Sequence, residues 1–91
     1  MIPESIRVKS WSDKTFENIA KVCHAANNYL EREAGGFGYL DFDSISGEDR
    51  DFLKEAVRLR LYHPELTVNL PHKTERANGI FCAIVDAMGN L

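Results

Sequence analysis

Ninety-one residues leave room for one domain built on one core. With 44% hydrophobic and 27% charged residues the chain has the balance of a folded protein rather than a disordered one. The formal net charge of −3 argues against generic nucleic-acid binding, which needs a basic field to displace counterions. No apolar run follows the first charges at the N-terminus, so neither a signal peptide nor a membrane span is expected. Cys23 and Cys82 both fall within apolar helical patterns and read as reduced core thiols of a cytoplasmic protein, not as a disulfide framework.

In chain order, residues 1–11 form an N-terminal arm in which Ile6 and Val8 alternate briefly with Arg7 and Lys9. A first helix is expected near 12–34. Ser12 is placed to cap it, and Trp11 and Phe16 have the spacing of a hydrophobic staple. Phe16, Ile19, Ala20, Cys23, Ala26 and Leu30 recur at three- and four-residue steps as one apolar stripe, with Lys14, Glu17, Asn18, Lys21 and Asn28 away from it. Gly35 and Gly36 end the helix. Residues 35–45 read as a loop anchored by Phe37, Tyr39 and Phe42.

A second helix is expected near 47–63, opened by Ser46 with Glu48 and Asp49 in its first turn and closed by Pro64. Phe52, Leu53, Ala56, Val57, Leu59 and Leu61 supply its apolar face. A third helix is expected near 72–88, starting at Pro71 or His72, with Gly89 as its terminal glycine. Ala77, Ile80, Phe81, Ile84, Val85 and Met88 form its stripe. Gly79 inside it costs about 1 kcal/mol relative to alanine, which close packing or a nearby ligand would justify. The chain therefore reads as an all-α single domain, residues 1–91, with three principal helices and a core of Phe16, Ile19, Cys23, Phe52, Val57, Phe81 and Ile84.

No residue pattern marks a catalytic site, and no cofactor is expected. His24, His63, His72 and the cysteines lack the paired spacing of zinc ligands, and Asp41, Asp43, Glu48, Asp49 and Asp51 lack the pattern of a calcium loop. Arg50, Lys54 and Arg58 follow steps of four along one helix face, with Arg60 nearby. They make either a solvated surface or an anion contact, with the Arg58 guanidinium the best phosphate partner. His24, Asn27 and Asn28 are the most informative polar residues. Both His24 and Asn27 border the apolar stripe, are weak helix formers, and offer donors and acceptors that suit a nucleobase or ribose edge. A structural hydrogen-bonding role is equally open.

The run Ile19-Ala-Lys-Val-Cys-His-Ala-Ala-Asn27, Phe42-Asp43 before Ile45-Ser46, Ala56-Val-Arg-Leu-Arg-Leu61 followed by His63-Pro64-Glu65, and Leu70-Pro71 with Lys73, Asn78, Phe81 and Ile84-Val85 together resemble the RyR domain. This small helical repeat is named after ryanodine receptors and also occurs in bacterial and bacteriophage proteins. The chain departs from that pattern. Only Glu65–Leu70 and Pro71 stand where the family carries an aromatic-rich insertion, which removes any ligand contact the insertion would make. Phe42 replaces the family's tryptophan, Asn28 its arginine after the helical asparagine, and Asn78 the aspartate of the last helix.

The resemblance implies a nucleotide-derived ligand, including cyclic ADP-ribose-like signals or cyclic nucleotides. His24 and Asn27 would read its base or ribose, Arg58 and Lys73 would meet phosphate, and Asn28 and Asn78 would belong to the same ligand site. A phage-encoded copy would sequester a host defence signal in the host cytoplasm without catalysis. The alternative is a protein-interaction module that inhibits a host protein through Tyr29, Phe37, Tyr39 and Tyr62. A DNA-binding regulator is disfavoured by charge and by the lack of a recognition helix. So small a core makes a homodimer or higher oligomer attractive.

Overall fold

Residues 11–36, 41–64, 71–72 and 74–90 are described by the computed structural model. Three helices form, α1 (Asp13–Glu33), α2 (Gly47–Tyr62) and α3 (Glu75–Gly89), with one 3-10 turn at Phe42–Ser44 between the first two. No strand occurs among the described residues, and no described helix is long and apolar enough to cross a membrane. The arm at 1–10, Phe37, Tyr39, the bridge at 65–70 and Lys73 lie outside the described residues.

Each helix starts where a short hydroxyl side chain can accept a first-turn N–H. Ser12 accepts from Thr15 N at 3.1 Å, Ser46 from Asp49 N at 3.1 Å, and Thr74 from Ala77 N at 3.1 Å. The third cap places the start of α3 later than Pro71 or His72. Asn78 is the reason: its side-chain oxygen accepts from His72 N at 2.9 Å and its amide donates to His72 O at 3.0 Å. A backbone held at both groups by a side chain six residues on cannot also run as helix. Gly35 sits beyond the α1 C-terminus at φ +92°, the left-handed geometry its position called for.

All three helices meet in one core of Phe16, Ile19, Ala20 and Cys23 from α1, Leu53, Ala56 and Val57 from α2, and Phe81 and Val85 from α3, closed by Phe42. Phe81, Ile19, Val57, Val85 and Cys23 are its largest fully buried side chains. Two expected core residues are placed differently. Phe52 is 54% exposed, because Leu53, Ala56 and Val57 take the inner face of α2 and leave its neighbour on the flank. Ile84 is only partly buried, packed against the core from the side of Val85.

Asn28 departs in the opposite sense. Expected to fall away from the stripe, it is buried at 8% exposure, and so is His24 at 7%. The 3-10 turn explains both: it packs on α1 with the Phe42 ring 6.2 Å from the His24 ring, so the buried face of α1 is wider than its apolar stripe.

Trp11, just ahead of α1, is tied to the end of α3 and to α2. Trp11 donates from Nε1 to the carbonyl of Gly89 at 3.0 Å, and its ring meets Tyr62 edge-on at 5.1 Å. Phe16 also meets Tyr62 edge-on, at 6.4 Å, so the pair expected as a staple shares a third ring. Gly89 is the last residue of α3 and not a left-handed cap. A Cβ there would lie 2.2 Å from Leu61 Cδ2, so glycine serves a close approach of α3 to α2. At Gly79 a Cβ would meet nothing within 4 Å, so no packing within the described chain accounts for it.

Phe81→Ala should cost about 3–5 kcal/mol in urea unfolding, a large part of the stability of so small a domain. Phe52→Ala should cost less than about 1 kcal/mol in the same measurement, as expected of an exposed ring.

Candidate functional site

An open cleft of about 300 Å³ lies between α1, the start of α2 and the entry to α3. Helix α1 lines it with His24, Asn27 and Glu31, which share one face at three- and four-residue spacing. Apolar groups come from Ile45, Phe52, Leu53, Pro71 and Ala77. Asp49, His72 and Thr74 complete the polar part. The inner surface is thus mainly aliphatic and aromatic, with a few convergent polar groups, the composition of small-molecule sites.

Two of the residues expected to read a ligand, His24 and Asn27, are brought together here, and the beginning of α3 completes the site opposite them. No described group hydrogen-bonds the Asn27 amide, which is half-buried and faces the cleft. Asn78 acts one step back: it clamps the backbone of His72 and so sets where that imidazole stands. The His72 ring lies edge-on to Phe81 at 5.8 Å, which ties the cleft to the core. Burial, with a smaller contribution from nearby His24, holds the His72 pKa below its ordinary value of 6.5. In the sequence His72 is weighed only as a zinc ligand and a helix start, and Glu31 is not singled out. A histidine just before a helix start, and a glutamate one turn beyond Asn27, were the available signals.

Arg58 lies elsewhere. It borders a separate surface hollow with Asp13, Phe16, Asp51, Lys54 and Glu55, and its Nε donates to Glu55 Oε2 at 2.9 Å. The rest of the basic stripe is engaged in the same way. Arg50 donates to the carbonyls of Asp43 (3.2 Å) and Ile45 (2.8 Å), Lys54 pairs with Asp13 at 2.9 Å, and Arg60 holds Asp86 through two bonds of 3.0 and 2.7 Å. Spacing puts Arg50, Lys54 and Arg58 on one helix face; Arg58 is paired within the helix, whereas Lys54 and Arg60 take their partners from the neighbouring helices. Asn28 lines a second hollow on the other side of α1, with Lys21, Tyr29, Arg32, Asp41 and Phe42, and His24 borders both. Lys73 lies outside the described residues.

Among the described residues no group of three or more His, Cys, Asp or Glu side chains is placed to hold a metal ion. Cys23 is a free thiol whose pKa is pushed up to about 12 by burial, with Cys82 adding to the shift, so it is a poor nucleophile at neutral pH. What the cleft offers chemically is recognition: hydrogen-bond donors and acceptors set over an apolar surface.

Comparison of the chain with protein-family models, with curated proteins and with solved structures finds no match.

Asn78→Ala removes both bonds to His72 and should cost about 1–3 kcal/mol in chemical unfolding. The pH dependence of stability should carry the signature of His72. Because folding disfavours its charged form, the unfolded chain binds more protons as pH falls below 6.5. The neutral ring's contribution is therefore complete above that pH and lost as pH drops through the lower folded value. His72→Gln should flatten the fall in Tm between about pH 7 and pH 5 in thermal scans.

Proposed function

We propose that this chain is a non-catalytic binding module that holds a planar, hydrogen-bonding small molecule, of nucleobase or nucleoside type, in the cleft between α1 and α3. The observation that carries this reading is the Asn27 amide: it is half-buried, without a described hydrogen-bond partner, and set beside His24 and opposite His72 over an apolar surface. An amide supplies a donor and an acceptor side by side, which is the complement of a base edge. Leu53, Ile45 and Pro71 would cover the ring faces of such a ligand. The RyR-domain resemblance implies a nucleotide-derived ligand on the same helix motif, and capture in equal amounts, as in sequestration of a signal, asks for a pocket and no catalytic group. A phosphate contact from Arg58 is no part of this reading, since its guanidinium is paired with Glu55 in another hollow.

Titration with the four ribonucleosides, followed by calorimetry and by NMR shift changes, tests the reading. Asn27→Ala should weaken binding roughly tenfold, the loss of about one good hydrogen bond, and should leave Tm near wild type. Arg58→Ala should leave nucleoside affinity unchanged. If no nucleoside binds while a host protein is retained by the exposed Tyr29 face, the interaction-module reading replaces this one; Tyr29 is 63% exposed.

A further inference from the structure

Asn78 is followed by Gly79, and no other asparagine of the chain precedes a glycine. Such a pair is chemically fragile, because a neighbour without a side chain leaves its backbone nitrogen open to the asparagine carboxamide. Gly79 is exposed, and a Cβ there would meet nothing within 4 Å, so alanine would fit the position and favour the helix. Asn78 carries the two bonds that hold the backbone of His72, a residue of the cleft lining. Both lie at the entry to α3. Thr74, Glu75 and Arg76 are exposed there, and the first turn is closed by the Thr74 cap and by the Asn78 N–H, which donates to Thr74 O at 3.0 Å. Helix ends open at a lower free-energy cost than the middle of a packed helix, and a glycine reduces that cost further.

We infer that Asn78 is a self-modifying site, converted to aspartate or isoaspartate when the first turn of α3 opens, and that the conversion releases the His72 wall of the cleft. In the step the Gly79 nitrogen bonds to Asn78 Cγ and gives up its proton, the Cγ–Nδ2 bond breaks, and the side-chain nitrogen leaves as ammonia. Water then opens the cyclic imide at either carbonyl, so water is the only co-reactant and nothing is oxidised or reduced. The closed helix holds the reaction off: the clamp engages both Oδ1 and Nδ2, and the Gly79 N–H is committed to the helix ladder. Neither product restores the clamp. An aspartate accepts but cannot donate, so it sets a carboxylate against the His72 carbonyl. An isoaspartate lengthens the α3 backbone by a methylene. The modification stands without any ligand; its effect on binding rests on the cleft site proposed above.

Incubation of the full chain at mildly alkaline pH, followed by peptide mapping in the mass spectrometer and enzymatic detection of isoaspartate, reads the conversion at each asparagine. In the native chain Asn78 should convert ahead of the other asparagines, and in the urea-unfolded chain at least about tenfold faster than in the native one. Thr74→Ala, which removes the cap, should raise the native rate about fivefold. Gly79→Ala should slow conversion at least about tenfold in native and unfolded chain alike, and should leave Tm no lower than wild type. Asn78→Asp makes one product directly. It should keep the helical circular dichroism, move the backbone amide signal of His72 in NMR spectra, and weaken adenosine binding about tenfold.

The inference is overturned if native Asn78 keeps its amide as long as the other asparagines do, if Thr74→Ala leaves the native rate unchanged, or if Gly79→Ala converts as fast as wild type in urea. It is overturned as well if Asn78→Asp leaves the His72 amide signal in place, or binds adenosine as tightly as the wild type does. If Asn78 converts and His72 moves while adenosine does not bind the wild type, the inference stands and the nucleobase reading falls. If adenosine binds through Asn27 and Asn78 does not convert, the reverse holds.

Discussion

The burial of Phe81 is the constraint on which the rest of the structure depends. Its ring is the largest fully buried side chain, and it lies in a core to which all three helices contribute, so it decides how α3 sits on α1 and α2. A chain of this length has no second core to absorb an error there. The same ring meets His72 edge-on, and Asn78, three residues before Phe81 in the same helix, clamps the backbone of His72. Seating the aromatic therefore also builds the wall of the cleft that faces α1. The position of the candidate site follows from core packing, not from a separate element added to hold it.

Helix α1 plays a double part for a related reason. One face packs on α2 and α3, and a second is covered by the 3-10 turn through Phe42. A helix enclosed on two sides buries residues beyond its apolar stripe, which is how His24 and Asn28 come to lie inside. Buried polar side chains require partners, and both have them. Asn27, between them in sequence, points about 60° from His24 and about 100° from Asn28 around the helix. Its amide faces the cleft and is left for a ligand or for water.

Electrostatics divides the surface in a way that composition does not. The net charge is modestly negative, yet the basic stripe of α2 is tied down residue by residue: to the α1–α2 connection through Arg50, to α1 through Lys54, and to α3 through Arg60. Exposed pairs of this kind contribute about 0–1 kcal/mol each, so their effect on stability is small.

Much of this architecture was legible in the sequence by itself. Ser12 and Ser46 capped their helices as hydroxyls placed before a periodic run must, Gly35 took the left-handed conformation only glycine adopts freely, and Ile19, Cys23, Val57 and Phe81 declared the core by their spacing. His24 and Asn27 also stand out in the sequence as weak helix formers beside the apolar stripe, with a structural role equally open; the structure buries His24 against Phe42 and sets Asn27 half-buried at the cleft. The tertiary structure decided what local pattern cannot encode. Phe52 and Leu53 are adjacent and both apolar, and only the direction from which α1 and α3 approach determines which is buried. Only the packing of α1 and α3 on α2 brings Asp13 to Lys54 and Asp86 to Arg60, and His72 joins the cleft through a clamp six residues further along the chain. Helical periodicity fixes which residues share a face. Which face meets which neighbour depends on how three helices enclose one small core, and that is a property of the whole chain.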